Sequence, residues 1–219
     1  MPMIEFQRPD GALTPAYHAA PQRALAPGVV VIQEWWGLNP QICSVVDRLA
    51  SAGYHALAPD LYRGRKATEA DEANHLMQGL DFVDATHQDL RGAVQHLGQS
   101  GRKVAVLGFC MGGALTVAAA VHVPECSAAV CFYGVPPAEL ARPAEIRIPF
   151  QAHFAEQDDW CTPAVARALE AEMQSAGRRP EVHYYAAQHG FFNATRPVFD
   201  AACAELAWSR ALDFLGRHL

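Results

Sequence analysis

The chain has 219 residues, 51% of them hydrophobic and 18% charged, a composition that buries a full core without staples and excludes disorder. Its 23 acidic residues outnumber 17 basic ones for a net charge of −6, which excludes nucleic acid as a partner, because phosphate binding needs a concentrated basic face. The one dense basic cluster, Arg63–Gly64–Arg65–Lys66, is too short for that role.

The first residues carry no apolar h-region or small-residue cleavage site, and Ala114–Val123, the longest near-apolar stretch, is about half the length a bilayer requires. From residue 28 onward, apolar β-branched runs alternate with helical patterns, the sequence form of βαβ units around a parallel sheet. Gly28–Glu34 reads as a strand buried on both faces, since nothing in it alternates. Asn39-Pro40 then opens a helix, with Ile42, Val45, Val46 and Leu49 on one face and Gly53 as its stop. Tyr54–Ala58 is a short strand, 61–80 a loop with a short helix, and Phe82–Leu97 an amphipathic helix. Strand Lys103–Phe109 leads into an Ala-rich helix, Met111–Val121. Ser127–Tyr133 and Ile148–Phe154 read as core strands joined by a Pro-rich connection. Thr162-Pro163 caps a helix to about Ala176, Glu181–Tyr185 is a strand, and Arg196–Gly216 a terminal helix. One doubly wound α/β domain over 1–219 is the expectation.

Between a strand and a helix stands Gly108-Phe109-Cys110-Met111-Gly112-Gly113, a small-x-nucleophile-x-small turn with Cys where Ser is usual. The glycines are needed because side chains two residues either side of the nucleophile would collide. Position 110 falls at a helix N-terminus, where aligned N–H dipoles favour a thiolate and a developing oxyanion. A nucleophilic Cys needs a base, and the base an orienting acid. Asp158 and His189 follow in the order nucleophile, acid, histidine, each just beyond the C-terminal end of a predicted strand.

Four segments together resemble the dienelactone hydrolase family: Gln33-Glu34-Trp35-Trp36-Gly37-Leu38-Asn39, the Cys110 elbow, the Asp158 segment, and Gln188-His189-Gly190-Phe191. Ala58-Pro59-Asp60-Leu61-Tyr62 and Phe132-Tyr133-Gly134 extend the likeness over nearly the whole chain. The resemblance implies an α/β-hydrolase fold, with a single mostly parallel sheet, flanking helices and no large cap domain, and a Cys110–His189–Asp158 triad. It also implies that Glu34 accepts the thiol's hydrogen bond at rest, and that the Met111 and Trp35 backbone N–H groups form an oxyanion hole. The resemblance, through the family's spacing from His153, favours Asp158 as the acid, whereas the spacing to Pro163 fits Asp159; Asp158 is the choice.

The sequence also departs from that pattern. The family clamps a substrate carboxylate with two arginines; here the position four beyond His189 is Asn193, Asp71–Leu80 holds no Arg, and a frequent Trp is Met77. A neutral amide does not replace a bidentate guanidinium, so dienelactone itself is not the expected natural substrate. Arg63, Arg65 and Arg196 are the candidates for a substitute clamp, but a reading as solvated loop or helix-cap arginines is favoured. Trp35, Trp36, Tyr133, Trp160, Phe191 and Phe192, with Asn193, fall where a substrate pocket would open, and point to a small ester or lactone with an apolar or aromatic body. Six cysteines (Cys43, Cys110, Cys126, Cys131, Cys161, Cys203) show no CxxC pair and no zinc spacing, so free thiols in the cytoplasm are expected. No metal, cofactor or membrane contact is expected, and the chain is read as a monomer or weak homodimer. The alternative from another class is a thiol switch or small-molecule-binding protein on the same fold.

Overall fold

The computed structural model describes residues 3–219. Eight strands form one sheet in the order β1-β2-β4-β3-β5-β6-β7-β8. They are β1 Met3–Gln7, β2 Leu13–Ala19, β3 Gly28–Ile32, β4 His55–Pro59, β5 Val104–Phe109, β6 Ala128–Phe132, β7 Phe150–Gln157 and β8 Glu181–Gln188. β1, β2 and β4 pair antiparallel, while every pairing from β4 through β3 to β8 is parallel.

The helices are α1 Pro40–Ser51, α2 Ala70–Gln78, α3 Phe82–Asp84, α4 Arg91–Gly98, α5 Met111–His122, α6 Pro163–Ser175 and α7 Ala201–His218. A π-helical stretch, Ala85–Leu90, joins α3 to α4. Alternate strand residues feed two apolar layers, one on each face of the sheet. Val30, Ile32 and Val106 pack with α4, α5 and α6, whereas Val29, Val31 and Leu107 pack with α1 and α7. β3, β5 and β6 are buried along their whole length, which is why their sequences run apolar without alternation.

Three of the differences from the sequence reading bear on the sheet edge and the site. The N-terminal hairpin β1–β2 lies in a stretch with no apolar run, and β2 contains Pro15, a residue that argues against a strand. Pro15 stands just outside the segment paired to β4, which begins at Ala16. β3 ends at Ile32 rather than Glu34, and residues beyond it turn, with the Gly37 amide donating to the Glu34 carbonyl at 3.2 Å. The last helix begins at Ala201, capped by the Asp200 side chain on the Cys203 amide at 2.8 Å, so 189–200 is irregular chain rather than the start of a helix. That stretch borders the candidate site.

Candidate active site

The site lies where the strand order reverses. β3 is flanked by β4 on one side and β5 on the other, so the segments leaving β3 and β5 diverge and open a crevice at their C-terminal ends. Ile32 pairs with Gly108 and Phe109 with Phe132, which sets Glu34, Cys110 and Tyr133 side by side just past the sheet.

Cys110 sits at φ 56° and ψ −116°, a left-handed conformation that costs a non-glycine residue on the order of 1–3 kcal/mol. The surroundings enforce it. A Cβ at Gly108 would stand 2.1 Å from the Gly112 carbonyl oxygen, and one at Gly112 2.4 Å from that of Ile32. No side chain fits at either point. The turn ends at α5, whose first residue is Met111. Among the described residues neither the Met111 nor the Trp35 amide donates to a protein acceptor, which leaves both as open donors.

Asp158 and His189 meet through a register shift between β7 and β8. Ala155 pairs with Tyr185, but Gln157 pairs with Gln188, so one extra residue on β8 sets His189 level with Asp158. The Asp158 Oδ2 accepts from His189 Nδ1 at 2.8 Å, and Oδ1 accepts from the Trp160 and Cys161 amides, both at 2.8 Å. The carboxylate is buried and fully bonded; Asp159 is exposed. An ionised carboxylate only accepts, so Nδ1 carries the proton and Nε2 is free to face the sulfur. Burial disfavours charge on the ring, but hydrogen bonds to Asp158 and Cys110, together with the charges on both, outweigh it and push the His189 pKa up to about 10.

Glu34 is 4% exposed, and burial raises its pKa against the opposing pull of Asn193, His189, Tyr133 and Arg196. Its oxygens do not take up the thiol as the resemblance implied. Oε1 accepts from the Tyr133 hydroxyl at 3.3 Å, and Oε2 accepts from the Asn193 amide. Asn193 is itself oriented, because its oxygen accepts from the Thr195 amide at 3.0 Å and hydroxyl at 2.7 Å. Its NH2 group therefore has to face Glu34.

A cavity of about 240 Å³ opens beside Cys110 and His189, walled by Trp35, Trp36, Met77, Trp160, Pro197 and Val198 and reached by Glu34, Asn193 and Arg196. Four of the expected pocket residues line it: Trp35, Trp36, Trp160 and Asn193. Tyr133 and Phe191 do not. Both are buried and form part of the packing behind the site, with the Tyr133 ring edge-on to His189 at 5.1 Å and to Phe191 at 5.4 Å. Phe192 packs against Phe109 and Trp208 in the core. Their phenyl bodies gain more from the apolar layer than from a wet rim.

The sequence reading missed Pro197 and Val198 as lining, and set Arg196 aside as a solvated or capping residue, because it assigned all three to a helix. Arg196 lies over the Trp36 ring, 3.3 Å from its centre, whereas Arg63 is bound by Asp89 and Arg65 donates to the Tyr62 carbonyl. The Arg-Pro pair following the catalytic-type histidine was the available signal, since Pro at 197 weakens a helix running through it.

An elbow Cys at a switch point, with a carboxylate-bound imidazole on the next loops, defines an α/β-hydrolase fold without a large cap domain. The model of the dienelactone hydrolase family matches residues 14–219. A carboxymethylenebutenolidase from Pseudomonas putida is 35% identical over 97% of this chain and 94% of its own. The protein usf of Aquifex pyrophilus is 32% identical over 99% and 98%. The structure of a Klebsiella pneumoniae protein assigned to the dienelactone hydrolases superposes with a TM-score of 0.87 at 25% identity, covering 99% of both chains. The chain belongs to the dienelactone hydrolase family.

Proposed function

We propose that this hydrolase cleaves small carboxylic esters or lactones by acyl transfer through Cys110, His189 and Asp158. The observation that carries the reading is His189, bonded through Nδ1 to Asp158 at 2.8 Å and facing the same cavity as Cys110. An imidazolium next to sulfur favours the thiolate, which attacks the carbonyl carbon. The Met111 and Trp35 amides would receive the developing oxyanion, and His189 gives its proton to the leaving alkoxide. Acylation converts the sulfur to a neutral thioester, removing one of the two influences that keep His189 charged. The neutral ring then takes a proton from water, whose oxygen attacks the thioester and returns the acid and the thiol. Asp158 fixes the tautomer and offsets the ring's charge throughout.

The cavity walls favour an acyl or alcohol portion with an apolar or aromatic body. Asn193 is engaged by Glu34, and among the described residues only one guanidinium, Arg196, reaches the cavity. The paired-arginine clamp expected for a carboxylated lactone is therefore not supported, and dienelactone is not the natural substrate in this reading. Six unpaired cysteines support a reducing compartment such as the cytoplasm, and among the described residues no helix is long and apolar enough to cross a membrane. Rapid-quench mass spectrometry with a slow ester tests the scheme. A thioester adduct on Cys110 is expected; turnover retained in Cys110→Ala, or no adduct during turnover, would overturn it. Binding without any turnover would favour the thiol-switch alternative.

A further inference from the structure

Ala58-Pro59-Asp60-Leu61-Tyr62 stands out in the sequence but takes no part in the chemistry above. Tyr62 is 2% exposed, and its hydroxyl donates to Met111 Sδ at 3.3 Å. Its ring also borders the turn that carries Trp35: a Cβ at Gly37 would meet Tyr62 Cδ2 at 3.3 Å and the Arg65 carbonyl at 2.8 Å. One side chain thus touches the supports of both open amides. We propose that Tyr62 is a positioning residue that sets the separation of the Trp35 and Met111 N–H donors, and so the fit of the oxyanion hole. This rests on the acyl-transfer reading of the site.

The segment around Tyr62 is built to hold it still. The Asp60 carboxylate accepts from the Tyr62 amide at 3.2 Å and from the Gly64 amide at 2.7 Å. Arg63, at φ 54°, reaches the Asp60 carbonyl at 2.7 Å and the buried Asp89 carboxylate at 2.8 Å. Two further bonds tie this loop to the oxyanion turn: the Leu61 amide to Gln33 Oε1 at 3.3 Å, and the Ala67 amide to the Trp36 carbonyl at 3.0 Å. Tyr62 adds the contact that no backbone bond supplies, from this loop across to the head of α5. Preorganised donors act only if their spacing matches the tetrahedral oxygen. A group that fixes this spacing is therefore felt in the transition state more than in ground-state binding.

Hydrolysis and alkylation of Cys110 separate such a role from general support. Iodoacetamide is attacked at a saturated carbon, with no oxyanion formed, whereas ester hydrolysis needs the hole in both half-reactions. In Tyr62→Phe, kcat for a p-nitrophenyl ester should fall on the order of tenfold with KM little changed, since an ångström of misplacement costs up to about 10²-fold. The alkylation rate of Cys110 should stay within twofold of wild type. Met111→Leu removes the sulfur acceptor and should give the same pattern, with the double variant no worse than either single one. Unchanged kcat in Tyr62→Phe, equal slowing of hydrolysis and alkylation, or additive losses would each overturn the proposal. If alkylated wild-type enzyme still hydrolyses the ester, the nucleophile is misassigned, and the acyl-transfer reading falls along with this one.

Discussion

The protonation of His189 can be measured directly. A pKa of about 10 against an ordinary 6.5 is a bias of about 5 kcal/mol towards the imidazolium. Burial works against that charge, and the hydrogen bond to Asp158 and then the Cys110 sulfur reverse the balance. Alkylating Cys110 with iodoacetamide leaves a neutral thioether and removes the sulfur's share; Asp158→Asn removes the carboxylate's. Followed by NMR through the Cε1–H shift, the wild-type ring should titrate near pH 10 and the alkylated protein at lower pH. The alkylated Asp158→Asn variant should titrate lower still, because burial is then opposed only by the Glu34 carboxylate. The sign for stability follows. Below pH 6.5 the ring is protonated in both folded and unfolded chains, and its pairing contributes in full. Between 6.5 and 10 only the folded chain holds the proton, so that contribution is lost as the pH rises. A wild-type ring titrating at or below 6.5, or one that alkylation does not shift, would refute the ion pair.

Asp158→Asn should lower kcat by roughly 10⁴-fold through loss of the correct tautomer, while Asp159→Asn, at an exposed position, should remain within a few-fold; steady-state kinetics on one ester rank the two. Asn193→Ala leaves a buried Glu34 oxygen unbonded and should destabilise the fold by about 1–3 kcal/mol. Because burial raises the Glu34 pKa, the urea-unfolding loss should grow as the pH rises and the carboxylate becomes charged. Gly108→Ala forces a Cβ to 2.1 Å from a carbonyl oxygen and should cost about 3 kcal/mol by overpacking, read in the same urea titration. Matched neutral and carboxylated esters should show a preference for the neutral member, and Arg196→Met should weaken only the carboxylated one; a strong anionic preference in wild type would count against an apolar-bodied substrate.

The parts legible in the sequence share one property: their physics is local. The unbroken apolar runs of β3, β5 and β6 announce strands covered on both faces. Asn39-Pro40 and Thr162-Pro163 announce helix starts, and the glycines around Cys110 announce a turn that only they permit. The N-terminal hairpin was illegible because β1 spans only five residues and Pro15 within β2 argues against a strand. Residues 196–200 were misread as helix because the terminal helix has no cap until Asp200.

Residue types and their order along the chain were enough to name the sulfur, the imidazole and a pair of candidate carboxylates. The choice between Asp158 and Asp159 lay in the pairing of β7 with β8. Without the extra residue on β8, the register of Ala155 with Tyr185 would carry on to bring Asp159 opposite His189; with it, Gln157 meets Gln188 and Asp158 arrives instead. Tertiary packing also turned Tyr133 and Phe191 inward, bound Glu34 to Asn193, and laid Arg196 on Trp36. Each of these depends on which surfaces meet across the sheet, and contacts between distant segments leave no period or spacing in a single strand of sequence.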